Sequence, residues 1–127
     1  MVDTKDLFYT EEHEWVEVLE DNKIRLGITQ FAVDSLGDIV YVELPELEAN
    51  YHADDEFAIV ESVKSTSGIY TPATGVVSAV NAALVDEPEL INNNPYVDGW
   101  LIEITLDEAL DTSSLLDLEA YEKLIED

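Results

Sequence analysis

Short segments in which apolar and polar residues alternate recur along most of the chain, and they constrain the fold more than any other feature. They are separated by Gly, Pro, Asn or Asp, which is typical of β-strands joined by turns. The predicted strands are Glu14–Val18, Lys23–Ile28, residues 39–44, 56–61 and 68–70, Gly75–Val80 and residues 100–104. The pattern therefore predicts a mainly β fold.

Helical signals are fewer and lie between or after the strands. Thr29 can cap a short helix, Gln30–Leu36, and Gly37 can end it in a left-handed conformation. Pro88 can start a further turn of helix. Apolar residues at helical spacing near the end predict an amphipathic helix over about residues 114–126, packed on the sheet.

The length and apolar content are those of one domain. The chain has 127 residues, of which 46% are hydrophobic, and this is enough for an ordinary core. We expect a single domain over residues 1–127, with a core at about 12–106 followed by the last helix. The absence of cysteine excludes disulfides, thiolate metal ligands and cysteine nucleophiles.

The first residues do not match a targeting sequence. Residues 1–6 carry two acids and no apolar run, unlike a signal or transit peptide. No apolar run approaches the roughly 18 residues that cross a bilayer. We expect a cytoplasmic protein, or a mature form from which a targeting segment has been removed.

The charge is strongly one-sided. Thirty acidic residues against five basic ones give a formal net charge of −25. Such a chain should bind neither nucleic acid nor anionic membrane, because phosphates require Lys and Arg. The acids either steer transient partners that have basic faces or simply form a solvated surface.

No pattern typical of an enzyme is present. His13 and His52 are far apart and lack metal-ligand spacing, so a structural role is expected for each and no metal site is predicted. Serine-nucleophile and phosphate-binding motifs are absent as well. We therefore predict a non-catalytic protein.

Lys64 has the most informative position among the five basic residues. It lies in the short break between two predicted strands, beside Val63 and the small residues 65–67. A lysine amine on such a turn is accessible to an acylating enzyme. The alternative is an ordinary surface lysine in a hairpin.

A weak internal repeat gives this break a special place. Residues 37–42 align with Gly75–Val80, glycine on glycine, and residues 57–59 align with 100–102 after a small insertion. Two similar β units would then flank one connection, which contains Lys64.

The sequence around Lys64 resembles the lipoylation site of the glycine cleavage H-protein family. The site itself is Glu61-Ser62-Val63-Lys64-Ser65, and the resemblance continues over most of the chain. The other matching segments are residues 13–16, 27–29, 36–45, 72–76, 80–81, 88–92 and 95–102.

This resemblance implies a barrel-sandwich hybrid, the lipoyl/biotinyl-carrier fold, with the modified lysine at the hairpin between two quasi-symmetric units. It implies lipoate in amide linkage on Lys64 and, for Glu14, a polar contact with the loaded arm. The chain departs from the family at two positions. The family often has an acid where this chain has Gly68, and it often has a smaller residue with a hydroxyl group where this chain has Glu12.

The resemblance also implies the partners of the carrier, which is expected to be a monomer. The arm accepts the aminomethyl group of glycine from the P protein (glycine decarboxylase) and presents it to the T protein (aminomethyltransferase). The L protein (dihydrolipoamide dehydrogenase) reoxidises the dithiol. A lipoate ligase or a lipoyl/octanoyl transferase attaches the arm.

Three other functions remain open at this point. An H-like protein could donate lipoate to other complexes, a biotin carrier could use the same lysine, or an unmodified β module could act only by protein interaction. Biotin acceptors usually place the lysine between methionines, and Val63 and Ser65 stand there instead.

Overall fold

The computed structural model describes residues 7–19, 22–107 and 115–126 of the chain. The strands are β1 (Phe8–Tyr9), β2 (Glu14–Val18), β3 (Lys23–Ile28), β4 (Ile39–Glu43), β5 (Asn50–Tyr51), β6 (Glu56–Ser62), β7 (Thr66–Tyr70), β8 (Gly75–Val80) and β9 (Ile102–Leu106). The helices are α1 (Gln30–Leu36), α2 (Ala83–Asp86), α3 (Glu89–Asn93) and α4 (Leu118–Glu126). The mainly β prediction is confirmed.

The strands form two antiparallel sheets. One has the order β1-β2-β3-β9-β8-β5 and the other has the order β4-β6-β7. Buried apolar residues from both sheets, among them Val16, Ile104, Val42 and Val60, belong to one core cluster. This shared core explains the alternation of apolar and polar residues in the sequence, because every second side chain of a strand points into it.

The predicted repeat corresponds to a repeated strand pairing. β4 pairs with β6, and β8 pairs with β9, both antiparallel. Each pair has a register irregularity, between Ile39 and Tyr41 in the first and between Val77 and Ala79 in the second. These residues occupy aligned positions of the repeat, so the two units share a local distortion as well as a sequence pattern.

α1 begins and ends where the sequence predicts. The Thr29 side chain accepts a hydrogen bond from the backbone N–H of Ala32, and Thr29 is fully buried. Gly37 ends the helix at φ 83° and ψ −149°, which is a positive φ but lies outside the left-handed helical region. The prediction that Gly37 ends the helix is confirmed, but the predicted left-handed helical conformation is wrong. Glycine is still favoured here because φ is positive.

Several elements differ from the sequence prediction: β7 begins at Thr66 rather than at residue 68, and β1 and β5 were not predicted. The last strand begins at Ile102 rather than at residue 100, and α2 was not predicted. The last helix begins at Leu118 rather than near residue 114, because Leu116 forms an antiparallel bridge with Tyr9 instead. Ser114 itself lies outside the described residues, as do Glu20 and Asp21, which lie between the first two predicted strands.

α4 packs against the β1–β2 region through Tyr121. The Tyr121 ring stacks on Tyr9 with centroids 4.7 Å apart. Its hydroxyl lies 2.6 Å from Thr29 Oγ1 and 2.9 Å from His13 Nδ1. The last helix is thus tied to the cap of α1, and His13 has the structural role expected for it.

Replacing Thr29 by Ala should destabilise the fold. The change removes the helix cap and the Tyr121 partner together, and we expect a loss of about 2 kcal/mol in the free energy of unfolding. Urea denaturation measures this loss. Thr29→Ser, which keeps the hydroxyl, should recover most of it, and equal stability of the two variants would contradict the assigned role.

Candidate functional site

Lys64 lies at the tip of the β6–β7 hairpin. Glu61 and Thr66 are the last paired residues before the turn. Ser62 shapes the turn, because its hydroxyl accepts hydrogen bonds from the backbone N–H groups of Lys64 (3.2 Å) and Ser65 (3.1 Å). The Ser62 N–H donates to the Ser65 carbonyl at 2.8 Å. The sequence break thus folds as a tight, serine-capped turn.

The Lys64 side chain is exposed and lies over the end of α1. A Cβ added at Gly37 would lie 3.5 Å from Lys64 Cε, so the lysine stem lies within van der Waals distance of this position. The Nζ atom lies 3.5 Å from the Ser35 carbonyl oxygen. Within the described part of the chain, Lys64 has no carboxylate within ion-pair distance.

Two of the other basic residues, Arg25 and Lys123, have carboxylate partners. Arg25 contacts the Glu103 carboxylate at 2.6 Å and lies 5.0 Å from the centroid of the Trp100 ring. Lys123 pairs with Glu119 at 3.7 Å on the exposed face of α4. Lys64 therefore combines exposure, a hairpin tip and the lack of a described ionic partner.

Glu14 is a buried acid. It is 3% exposed, and its carboxylate accepts hydrogen bonds from the Tyr70 N–H at 2.6 Å and the Thr10 hydroxyl at 3.1 Å. Burial raises the pKa of Glu14 from 4.5 to about 7, although these hydrogen bonds oppose the shift. No Lys, Arg or His in the described residues forms an ion pair with it.

Lys64 and Glu14 are not adjacent. Glu14 binds Tyr70, at the opposite end of β7 from the turn, so six residues separate the two positions, or roughly 20 Å along the strand. α1 connects them by another route. Ser35 lies next to the Lys64 amine, and Phe31, one helical turn earlier, packs on His13 with ring centroids 4.7 Å apart.

The two departures from the family pattern have different surroundings. The space above Gly68 is filled from the neighbouring strand, since a Cβ there would lie 2.9 Å from the Glu56 carboxyl and 3.2 Å from the Tyr70 hydroxyl. Glu12 is exposed. The carboxylate of Glu56 could not be assigned to this place from the sequence, because only the cross-strand pairing of Glu56 with Tyr70 brings it there.

Comparison with known proteins identifies the family of the chain. Residues 7–127 match the family described as Glycine cleavage H-protein. The chain belongs to the glycine cleavage H-protein family. It is 54% identical over 119 residues to the glycine cleavage system H protein of Listeria innocua, covering 94% of each chain. It is 48% identical over 122 residues to that of Salmonella arizonae, covering 96% of this chain and 95% of the relative.

A solved structure supports the fold within this family. The crystal structure of a glycine cleavage system H protein from Mycobacterium marinum superposes with a TM-score of 0.88 at 35% identity. The match covers 96% of this chain and 98% of the other. Together with the two antiparallel sheets, this confirms the predicted barrel-sandwich hybrid. Across the described residues, none of the helices has the length and apolar character needed for a membrane span.

Replacing Glu14 by Gln should change how stability depends on pH. Because burial raises the folded-state pKa to about 7, the folded protein binds this proton more tightly than the unfolded chain. The ionised carboxyl therefore lowers the stability of the wild type progressively as pH rises from about 4.5 to about 7.

We expect Glu14→Gln to gain about 2 to 3 kcal/mol relative to the wild type across that pH window, with a constant difference at higher pH. Urea denaturation at a series of pH values measures it. Glu11→Gln, at an exposed acid in the same segment, should follow the wild type. Parallel curves for Glu14→Gln and the wild type would contradict the burial argument.

Proposed function

We propose that this protein is the lipoyl-carrying H protein of a glycine cleavage system, and that Lys64 carries the lipoyl group. The observation that supports this most directly is the tip of the β6–β7 hairpin. There an exposed lysine without a described ionic partner stands on a serine-capped turn. It occurs in a chain of the H-protein family.

The surroundings of Lys64 fit amide formation. Its amine can reach an activated lipoyl carbonyl without breaking an ion pair. As the new C–N bond forms, the activating group departs with its electron pair and the nitrogen loses a proton. The attached lipoyl group then supplies the disulfide chemistry of the carrier, and this chain contributes the tether and the surface beside it.

The partners follow from that role. The arm would meet the P protein, the T protein and the L protein in turn, after a lipoate ligase or a lipoyl/octanoyl transferase has attached it. Such encounters have to be brief, because one carrier serves several active sites. A net charge of −25 supports fast encounter with basic surfaces without demanding tight complexes.

We extend the proposal to the rest of the chain as one monomeric, cytoplasmic carrier domain over residues 1–127, without catalytic activity of its own. The carrier binds no nucleic acid and no membrane, in keeping with its acid excess. The chemistry therefore lies in the partner enzymes.

Glu14 is proposed as the docking point of the loaded arm. The arm would leave Lys64 beside Ser35, pass along the face of α1 and end near His13 and Glu14. The glycine-derived cargo carries an amine, and a buried carboxylate without a described cationic partner is suited to pair with it. Such a contact would shield the cargo from water.

Lys64 should be the residue that carries the lipoyl mass. Intact-mass measurement and peptide fragmentation of protein from lipoate-replete cells should give one lipoyl adduct, on Lys64. Lys64→Arg should fold normally yet show no adduct and no glycine decarboxylation with the P protein. Lys123→Arg is the matched control and should behave as wild type. An adduct on another lysine would refute the site.

Glu14→Gln should shorten the lifetime of the loaded carrier. Without the charge to pair with the cargo amine, we expect ammonia to appear in solution several-fold faster when no T protein is present, since one charged hydrogen bond contributes about 1.5 to 3 kcal/mol. Glu12→Gln serves as the exposed control. Equal rates of ammonia release in all three proteins would exclude Glu14 as the docking point.

A further inference from the structure

Asn92 lies on α3, far from Lys64 in sequence, yet its side chain reaches the segment beneath the lysine turn. Its Nδ2 donates a hydrogen bond to the Gly37 carbonyl at 2.8 Å, and its Oδ1 accepts one from the Ile39 N–H at 2.9 Å. The donor and the acceptor partner together define the orientation of the amide. The two bonds hold the backbone on both sides of Asp38.

The peptide group between Asp38 and Ile39 is bonded on both of its edges. Its N–H donates to Asn92, and its carbonyl accepts a hydrogen bond from the Val63 N–H at 3.0 Å. Since a peptide group is planar and trans, its N–H and C=O point in opposite directions. Fixing the N–H on Asn92 therefore aims the carbonyl at the turn that carries Lys64.

The same segment also supports the lysine side chain. Gly37, whose carbonyl Asn92 holds, is the residue over which Lys64 Cδ and Cε lie. Asn92 thus acts on Lys64 in two ways, through the Val63 N–H and through the position of Gly37. α3 is in turn anchored by Ile91, which is fully buried.

We propose that Asn92 is a positioning residue for the modified lysine, which fixes the Lys64 turn against the 37–39 segment so that an acylating enzyme meets one presentation of the amine. This inference rests on the proposed function, in that it concerns the same lysine. It gives α3 a role in positioning Lys64, and the sequence around Lys64 does not indicate this role.

Amide hydrogen exchange tests the geometry on the unmodified protein. In ¹⁵N-labelled Asn92→Ala we expect the Val63 N–H to exchange about tenfold faster than in the wild type, because its acceptor is no longer held. Asn93→Ala is the matched control on the same helix, at an exposed position. It should leave the exchange at Val63 unchanged.

Acylation kinetics test the consequence for Lys64. With a lipoate ligase, kcat/KM of Asn92→Ala should fall about fivefold to tenfold, mostly through KM, since the amine is intact but less well presented. Asn81→Ala controls for lost stability, because Asn81 makes a comparable pair of bonds, to the Asp98 and Trp100 carbonyls. It should lower the unfolding temperature without changing kcat/KM.

The outcomes separate clearly. Unchanged Val63 exchange in Asn92→Ala, or the same loss of kcat/KM in Asn81→Ala, would overturn the proposal. If Asn92→Ala does not fold, Asn92→Ser takes its place, since its short hydroxyl can replace at most one of the two bonds, and unchanged exchange there overturns the proposal equally. A wild type that accepts no lipoate would refute the proposed function while the exchange result stands.

Discussion

The short contact between the hydroxyls of Thr29 and Tyr121 fixes the helix on which the rest of the site depends. It joins the cap of α1 to α4, and His13 completes the group through the same Tyr121 hydroxyl. At its other end, α1 runs into Gly37, which Asn92 holds. Fixed at both ends, α1 presents Ser35 to Lys64 and Phe31 to His13, so one short helix relates the lysine turn to the buried acid.

Much of this fold could be predicted from the sequence, because its information is local. The alternation of side chains predicts strands, Thr29 and Gly37 delimit α1, and the break around Lys64 predicts a hairpin tip. The predicted bounds of an element were wrong where a contact with a residue distant in sequence outweighs the local preference for helix or strand. Leu116 has helical spacing with its successors, but pairing with Tyr9 keeps it extended.

The site was predictable only in part, for the same reason. Lys64 is conspicuous because basic residues are scarce, and its neighbours carry the family resemblance. The burial of Glu14, the carboxylate of Glu56 above Gly68 and the reach of Asn92 to the 37–39 segment all arise from packing between elements far apart in the chain. No spacing rule encodes such contacts.

The turn around Lys64 is held without any help from the lysine amine. Its bonds run among Ser62, Ser65 and backbone groups, and none needs the Nζ charge. If Lys64 is acylated as proposed, the loss of that charge would leave these hydrogen bonds of the turn in place. Enzymes that act in succession on such a carrier would meet the same turn at the base of the arm each time, and they would distinguish one stage of the cycle from the next by what the arm carries and where it lies.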